Sequence, residues 1–390
     1  MTTTEEQLRD ALNAVAELVT EPSTEPSTEP SAEPSGKPVP LRARQPSARA
    51  WVAPFAVAAA VLLVIAAAVT AVSLRPSDEP RPALARGQSG YFVAMVAEGT
   101  GPGGDGATVR DAATGEITAN VPMPKGVTEW SAVGGTAKAS LFYLAGMERD
   151  GRARLFRLRL SGGAVGRLEP VDVPVTGSGR MAVSPDGARI AFPKEAPPGR
   201  MIRDDGRIDV VTVSTGKRTT YRTSAFTSVE SLSWSADGRY LAFEAAGPAR
   251  EVNGIRVLDT ARGGRDLRAA SRRVAVSEGG PLGMLTTPVL SADGTKVYTI
   301  AAQRPAGGGP SWSRLIEVDV ATRAQRRVLF QQRYEGDPGN TVWMFTSLVR
   351  DPSGGRLLVV SNGYGYRIDT ATGRAERIPF PGGDPHSLAW

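Results

Sequence analysis

Cysteine is absent from all 390 residues, which excludes disulfides and any thiolate metal site. Histidine is nearly absent. His386 is the single copy, so there is no material for a His-rich metal centre, and with no G-x-S-x-G elbow there is none for a Ser-His-Asp hydrolase site. His386 reads as a loop residue near a channel mouth. The glycine-rich tracts at 99–106 and 307–309 lack the following Lys-Ser/Thr of a phosphate loop and read as long turns. Carboxylates remain as acid–base or Ca²⁺ candidates, but the densest pair outside the turns, Asp204 and Asp205 in the insertion 195–207, has no second cluster beside it and reads as a solvated loop. Trp130, Trp312, Trp343, Tyr364 and Tyr366 read as core or loop aromatics. No cofactor and no metal site is expected, and the chain reads as a non-enzyme.

Charge of one sign is only mildly in excess. The net charge is +6, and residues 1–50 carry five basic against eight acidic side chains. Arginines lie scattered through turns and strand edges with no aromatic interleaving, so they read as solvated surface charge and nucleic acid is not an expected partner.

Long apolar runs are also scarce: one stands out, Trp51 to Leu74, WVAPFAVAAAVLLVIAAAVTAVSL, with no charged residue. About 20 such residues suffice to cross a bilayer as a helix. Lys37, Arg42, Arg44 and Arg49 precede it, which places the N-terminus inside and the rest outside. A leader of this length disfavours a cleaved signal peptide, so the expectation is an uncleaved signal-anchor in the cytoplasmic membrane. Before it, residues 20–35 repeat TEPS, TEPS, TEPS, AEPS, an extended spacer. Leu8, Leu12, Val15 and Val19 share one face of a short amphipathic helix, a candidate docking element for a cytosolic partner. The expected organisation is helix 1–19, disordered linker 20–50, transmembrane helix 51–74, linker 75–86 and a β domain over 87–390. The first 75 residues resemble actinobacterial membrane proteins associated with extracytoplasmic-function sigma factors, without the zinc-binding His and Cys residues of the zinc-type anti-sigma domain.

Glycine and proline are abundant, at 44 and 30 residues, and spread as punctuation between short strands. Ser184-Pro185-Asp186-Gly187, Ser235-Ala236-Asp237-Gly238, Ser291-Ala292-Asp293-Gly294 and Asp351-Pro352-Ser353-Gly354 each sit between two apolar strands. Their third positions are 51, 56 and 60 residues apart, the length of a four-stranded blade. In each, glycine supplies positive φ and the carboxylate accepts backbone N–H groups. A second turn recurs later in each unit, as in Thr108–Gly115, Val257–Thr260, Val318–Thr322 and Tyr366–Gly373. Two degraded units come first, and the earliest lacks an innermost strand. Ser387-Leu388-Ala389-Trp390 matches Ser231-Leu232-Ser233-Trp234 and supplies it, closing a ring of six blades.

This S-P-D-G repeat resembles the WD40-like repeats of TolB-type propellers and of propeller domains in prolyl oligopeptidase-like enzymes. The resemblance implies that Asp186, Asp237 and Asp293, with Gly187, Gly238, Gly294 and Gly354, form turns and are not catalytic; Asp351 and Ser353 depart from the pattern. The expected fold is an all-β, six-bladed propeller with C-terminal strand closure at Ser387, Leu388 and Trp390, preceded by the transmembrane helix and tail. The expected function is a membrane-anchored, extracytoplasmic, non-enzymatic binding or sensory module for a protein or cell-envelope ligand, its tail reporting to a cytosolic partner such as a sigma factor. The alternatives are an envelope enzyme using channel-mouth carboxylates, with Ca²⁺, on a sugar or lactone-like substrate, and a structural envelope scaffold.

Overall fold

The computed structural model describes residues 90–96, 106–173, 175, 180–193, 206–249, 252–277, 284–303, 311–334, 347–361, 363–380 and 385–390. They form six four-stranded antiparallel sheets. Blade 2 holds β4 (Val127–Gly135), β5 (Leu141–Glu148), β6 (Ala153–Ser161) and β7 (Ala164–Val171). Blade 3 holds β8 (Ala182–Val183), β9 (Arg189–Pro193), β10 (Gly206–Thr212) and β11 (Arg218–Thr223). Blade 4 holds β12 (Ser228–Trp234), β13 (Tyr240–Ala246), β14 (Gly254–Asp259) and β15 (Ser271–Val276), with a one-turn helix α1 (Leu267–Ala270) before its last strand. Blade 5 holds β16 (Met284–Leu290), β17 (Lys296–Gln303), β18 (Ser311–Asp319) and β19 (Gln325–Tyr334). Blade 6 holds β20 (Ser347–Arg350), β21 (Arg356–Ser361), β22 (Tyr364–Asp369) and β23 (Ala375–Pro379).

Blade 1 is built from both ends of the propeller. β1 (Tyr91–Val96), β2 (Gly106–Asp111) and β3 (Ile117–Val121) come first in the chain, and β24 (Pro385–Ala389) pairs with β1 as the innermost strand. The inner strands of successive blades touch in a closed cycle, β24 to β4, β8, β12, β16, β20 and back to β24.

The turns explain why the strands start and stop where they do. Ser184 Oγ donates to Asp186 Oδ1 at 2.5 Å and accepts from the Arg189 N–H at 2.9 Å, while Gly187 adopts φ 73°. Ser235–Gly238 and Ser291–Gly294 repeat this pattern. Blade 6 keeps the bonds with the roles exchanged: Ser353 Oγ donates to Asp351 Oδ2 at 2.5 Å, and Asp351 Oδ1 accepts the Arg356 N–H at 2.9 Å. The second turn class is closed by Asp111, Asp319 and Asp369, each carboxylate accepting two backbone N–H groups.

Six apolar clusters fill the six blade boundaries, and Phe142, Phe192, Phe226, Phe243 and Leu158 within them are fully buried. Each boundary also carries a hydrogen bond donated by one blade to the next. The donors are Thr118 to Gly163 O, Tyr143 to Gly187 O, Arg189 to Gly238 O, the Ala236 N–H to Ala292 O, Arg327 to Ala371 O and Arg367 to Ala112 O. Several arginines that read as solvated surface charge are therefore structural donors. Arg110 is 1% exposed, lies 4.3 Å from the Phe380 ring and donates to Thr108 and Gly115.

The membrane-anchored reading is corrected here. Among the described residues no helix is long and apolar enough to cross a membrane. The helix they contain, α1, has four residues, a rise of about 6 Å against a hydrocarbon core of about 30 Å. The expected span 51–74, the helix 1–19 and the linkers 20–50 and 75–86 lie outside the described residues. The single-pass placement, the outward orientation and the cytosolic partner of the tail all depended on that span. They are set aside, and the functional argument rests on the propeller.

Candidate functional site

The six inner strands converge on a central channel, and a cavity of ≈ 150 Å³ opens at the end where the inner strands turn into the second strands. Pro185, Ala236 and Pro352, the second residues of three of the turns, form part of its rim. Val133, Leu232, Val289, Leu348 and Trp390 supply apolar wall from β4, β12, β16, β20 and the chain end. The turn residues Asp186, Asp237 and Asp293 hold this rim in shape. Burial alone would raise the Asp186 and Asp237 carboxyls, but the Ser184 and Ser235 hydroxyls and the backbone N–H groups of Ala188 and Arg239 hold them below the ordinary carboxylate range. For Asp293 the Ser291 hydroxyl is the largest influence and acts in the same direction.

Two charged residues stand in this wall, both from blade 6: Arg350 and Asp351. Asp351 is 8% exposed, and its carboxylate is engaged by Ser353 and Arg356 within the exchanged turn. Arg350 ends β20 at the register position filled by Val183, Trp234 and Leu290 in blades 3, 4 and 5. Its Nη1 is buried and has no hydrogen-bond partner among the described residues. Burial lowers the guanidinium below its ordinary value, with Asp351, Tyr298 and Asp293 acting the other way. Sequence reasoning passed over Arg350. The signal was a lone basic residue where the other repeats carry an apolar one.

A second cluster lies further along the inner strands. Glu230 on β12 is registered directly opposite Glu244 on β13, and like charges in that arrangement repel. Arg180 Nη1 meets Glu230 Oε2 at 2.5 Å. Withdrawal from water, then Glu230, push the Glu244 carboxyl up to about 7, against the pull of Arg180 and the Thr287 N–H. Bulges at equivalent points of β12 and β16 place Ser231 at φ 49° and Thr287 at φ 53°, a region that non-glycine residues, and β-branched ones above all, enter only under strain.

The Glu244 shift has a definite sign. Its folded value exceeds the ordinary 4.5, so between those two values the folded state binds more protons, and stability falls as pH rises from about 4.5 to 7. Glu244→Gln removes the ionisation and keeps an acceptor for Thr287. It is expected to stabilise the chain at pH 8 by at most about 3 kcal/mol and to be near neutral at pH 4.5, read as thermal midpoints of the two proteins across that range.

The other sequence candidates do not converge on the cavity. Trp130 packs edge-on to Phe156, Trp312 lies under Arg314, Tyr364 under Arg377, and Tyr366 against Phe330. Asp204, Asp205, Trp343, the tract 307–309 and all of the tract 99–106 but Gly106 lie outside the described residues, and His386 is placed only as backbone within β24. Among the described residues no three Asp, Glu or His side chains are grouped as a metal site.

No family model matches the sequence, and no curated protein matches it. Solved structures do. TolB from Acinetobacter baumannii is similar at 16% identity and a TM-score of 0.55, over 77% of this chain and 66% of that one. The likeness is one of fold. This chain thus spans just under two thirds of that protein's length. A putative TolB from Agrobacterium tumefaciens (17% identity, TM-score 0.46, 77% and 94% coverage) and a putative 6-phosphogluconolactonase from Bacteroides uniformis (12%, 0.46, 77% and 98%) are also similar, at levels that carry no argument.

Proposed function

We propose that this chain is a non-catalytic binding module that takes a segment of a partner protein into the tight-turn mouth of its channel. The observation that supports the reading most is the cavity itself. Its walls combine apolar side chains with polar surface, and it is framed by short, hydrogen-bonded turns. A preformed concave pocket that joins apolar surface to placed polar groups is what recognition sites look like. A rigid frame spares the ordering cost that a mobile loop would carry on binding.

The test uses the full chain against a displayed library of random peptides, with enriched sequences measured by titration. Ala236 is an exposed rim residue, so Ala236→Trp is expected to fill the mouth without touching the core. Its thermal midpoint should stay within about 2 °C of the parent, as for other surface changes, while peptide affinity drops at least tenfold. Equal affinity of the enriched peptides for parent and variant, or no enrichment at all, would sink the reading.

A further inference from the structure

We propose that the outer surface where blades 3 and 4 meet is a contact site for an acidic stretch of a partner polypeptide. This goes beyond the channel-mouth reading, and the surface shares no residue with the cavity wall.

One blade departs from the repeat. Between their third and fourth strands, blades 1, 3, 5 and 6 use only residues 112–116, 213–217, 320–324 and 370–374, whereas blade 4 uses 260–270. The longer segment is firmly held. Leu267 and Ala270 are buried in the core cluster between blades 3 and 4, and Asp266 caps α1 by accepting the Ala269 N–H at 2.7 Å. The buried Arg256 donates to Ser271 Oγ and to the Arg268 carbonyl. On the side of blade 3, the Arg222 N–H donates to Arg265 O at 3.0 Å, and Arg222 and Asp266 form a parallel bridge. An ordered insertion in one copy of a repeat is a usual place for a binding surface.

That insertion presents charge of one sign. Arg262, Arg265 and Arg268 lie within it and Arg222 lies beside it. All four are exposed, and their side chains have no ion-pair or hydrogen-bond partner among the described residues. By contrast, the exposed Arg152, Arg154, Arg239 and Arg326 each pair with a carboxylate. The insertion's own carboxylate, Asp266, is committed to the helix cap. The crowding reaches the interior: the Arg256 guanidinium is lowered to about 10, first by burial and then by Arg273 and Arg268. Cations gathered without internal counter-ions make a field that attracts an anionic partner.

The surroundings select which polyanion. Among the described residues, neither the insertion nor β11 exposes a large apolar or aromatic side chain; Tyr221 and Leu267 are buried. A lipid surface is usually met by apolar side chains set beside the cations, and single-stranded nucleic acid by aromatic faces on which bases stack. Guanidinium forks match carboxylates bidentately, and a few of them on one short, ordered segment suit a run of Asp and Glu.

The full chain is titrated, by fluorescence anisotropy, with a labelled oligoglutamate, an oligoglutamine of equal length and a single-stranded oligonucleotide of equal charge. Co-sedimentation with phosphatidylglycerol vesicles is measured alongside. The oligoglutamate is expected to bind saturably and at least tenfold more tightly than the oligoglutamine. Arg262→Gln/Arg265→Gln/Arg268→Gln should reduce that affinity at least tenfold and leave the thermal midpoint within about 2 °C of the parent. Should it unfold, Arg262→Gln/Arg265→Gln spares α1 and should still lose at least threefold. Arg149→Gln/Arg152→Gln/Arg167→Gln removes the same charge from blade 2 and should change affinity less than twofold, as should Ala236→Trp at the mouth. An equal loss in the blade 2 variant would reduce the effect to net charge and overturn the site. So would absent oligoglutamate binding, or a loss on Ala236→Trp. Tighter binding of the oligonucleotide or the vesicles, lost in the same triple variant, would overturn the polypeptide assignment. The peptide library decides the channel-mouth reading separately.

Discussion

Deleting Pro385–Trp390 is expected to abolish the cooperative unfolding of the whole propeller, not to trim one strand from it. These residues are the inner strand of blade 1. Leu388, Ala389 and Trp390 are buried in the two clusters that join blade 1 to blades 2 and 6. The Ser387 hydroxyl accepts the Val133 N–H of blade 2 at 3.1 Å, and the Pro385 carbonyl accepts from Ser347 of blade 6 at 3.1 Å. Loss of the tryptophan side chain alone is worth about 3–5 kcal/mol, and the deletion also opens the ring and bares the inner edge of β1. Against a total stability of about 5–15 kcal/mol that is decisive. Circular dichroism melting and hydrogen exchange should show a broad, early transition spread over all six blades. A deletion protein that keeps the parent's single sharp transition would show that the seam is dispensable.

The same seam makes Gly115→Ala the most damaging of the small substitutions. Gly115 ends the second turn of blade 1 at φ 75°, and a Cβ placed there would lie 2.0 Å from the Pro379 carbonyl oxygen of blade 6. Backbone holds both sides of that contact, so neither can rotate away. The left-handed conformation costs a non-glycine residue about 1–2 kcal/mol, and forcing apart a packed boundary adds about 1–3 kcal/mol. Gly115 O also accepts from the buried Arg110, so movement there disturbs a second donor. The expected loss is about 3 kcal/mol in urea unfolding. As a control, Gly151→Ala keeps a positive φ of 79° but has open space around its Cβ, and should cost only the conformational part. Equal losses for the two would remove the inter-blade explanation.

The blade count was legible because its signal is local and repeated. A tight turn needs a glycine and a short acceptor within four residues, so Asp186-Gly187, Asp237-Gly238 and Asp293-Gly294 mark blades without any tertiary knowledge. The Ser387–Trp390 echo of Ser231–Trp234 was legible for the same reason. The blade-to-blade donors were not. Arg189, Arg327 and Arg367 donate to backbone carbonyls, and a carbonyl is the same at every residue, so no pattern in the sequence announces its partner. Glu230 and Glu244 lie fourteen positions apart and face each other only through the strand register. Arg350 was in principle readable, as a charge at a position that is apolar in blades 3, 4 and 5. It became conspicuous only when its buried Nη1 stood without a partner among the described residues. The uncharged run at 51–74 was read from hydropathy, run length and flanking charge, and these carry no information about what a segment contacts.

The exchanged turn of blade 6 has a consequence for orientation. A ring of six similar blades offers an incoming group six nearly degenerate poses, related by rotation about the channel. Blade 6 alone sets a serine where three of its sisters set an aspartate, and it alone brings an arginine and a carboxylate side by side into the cavity wall. That breaks the equivalence of the blades around the mouth: among the described lining residues, charge stands at one azimuth and not at the others. A fold built by copying acquires a front in this way, through three residues around one turn, Arg350, Asp351 and Ser353.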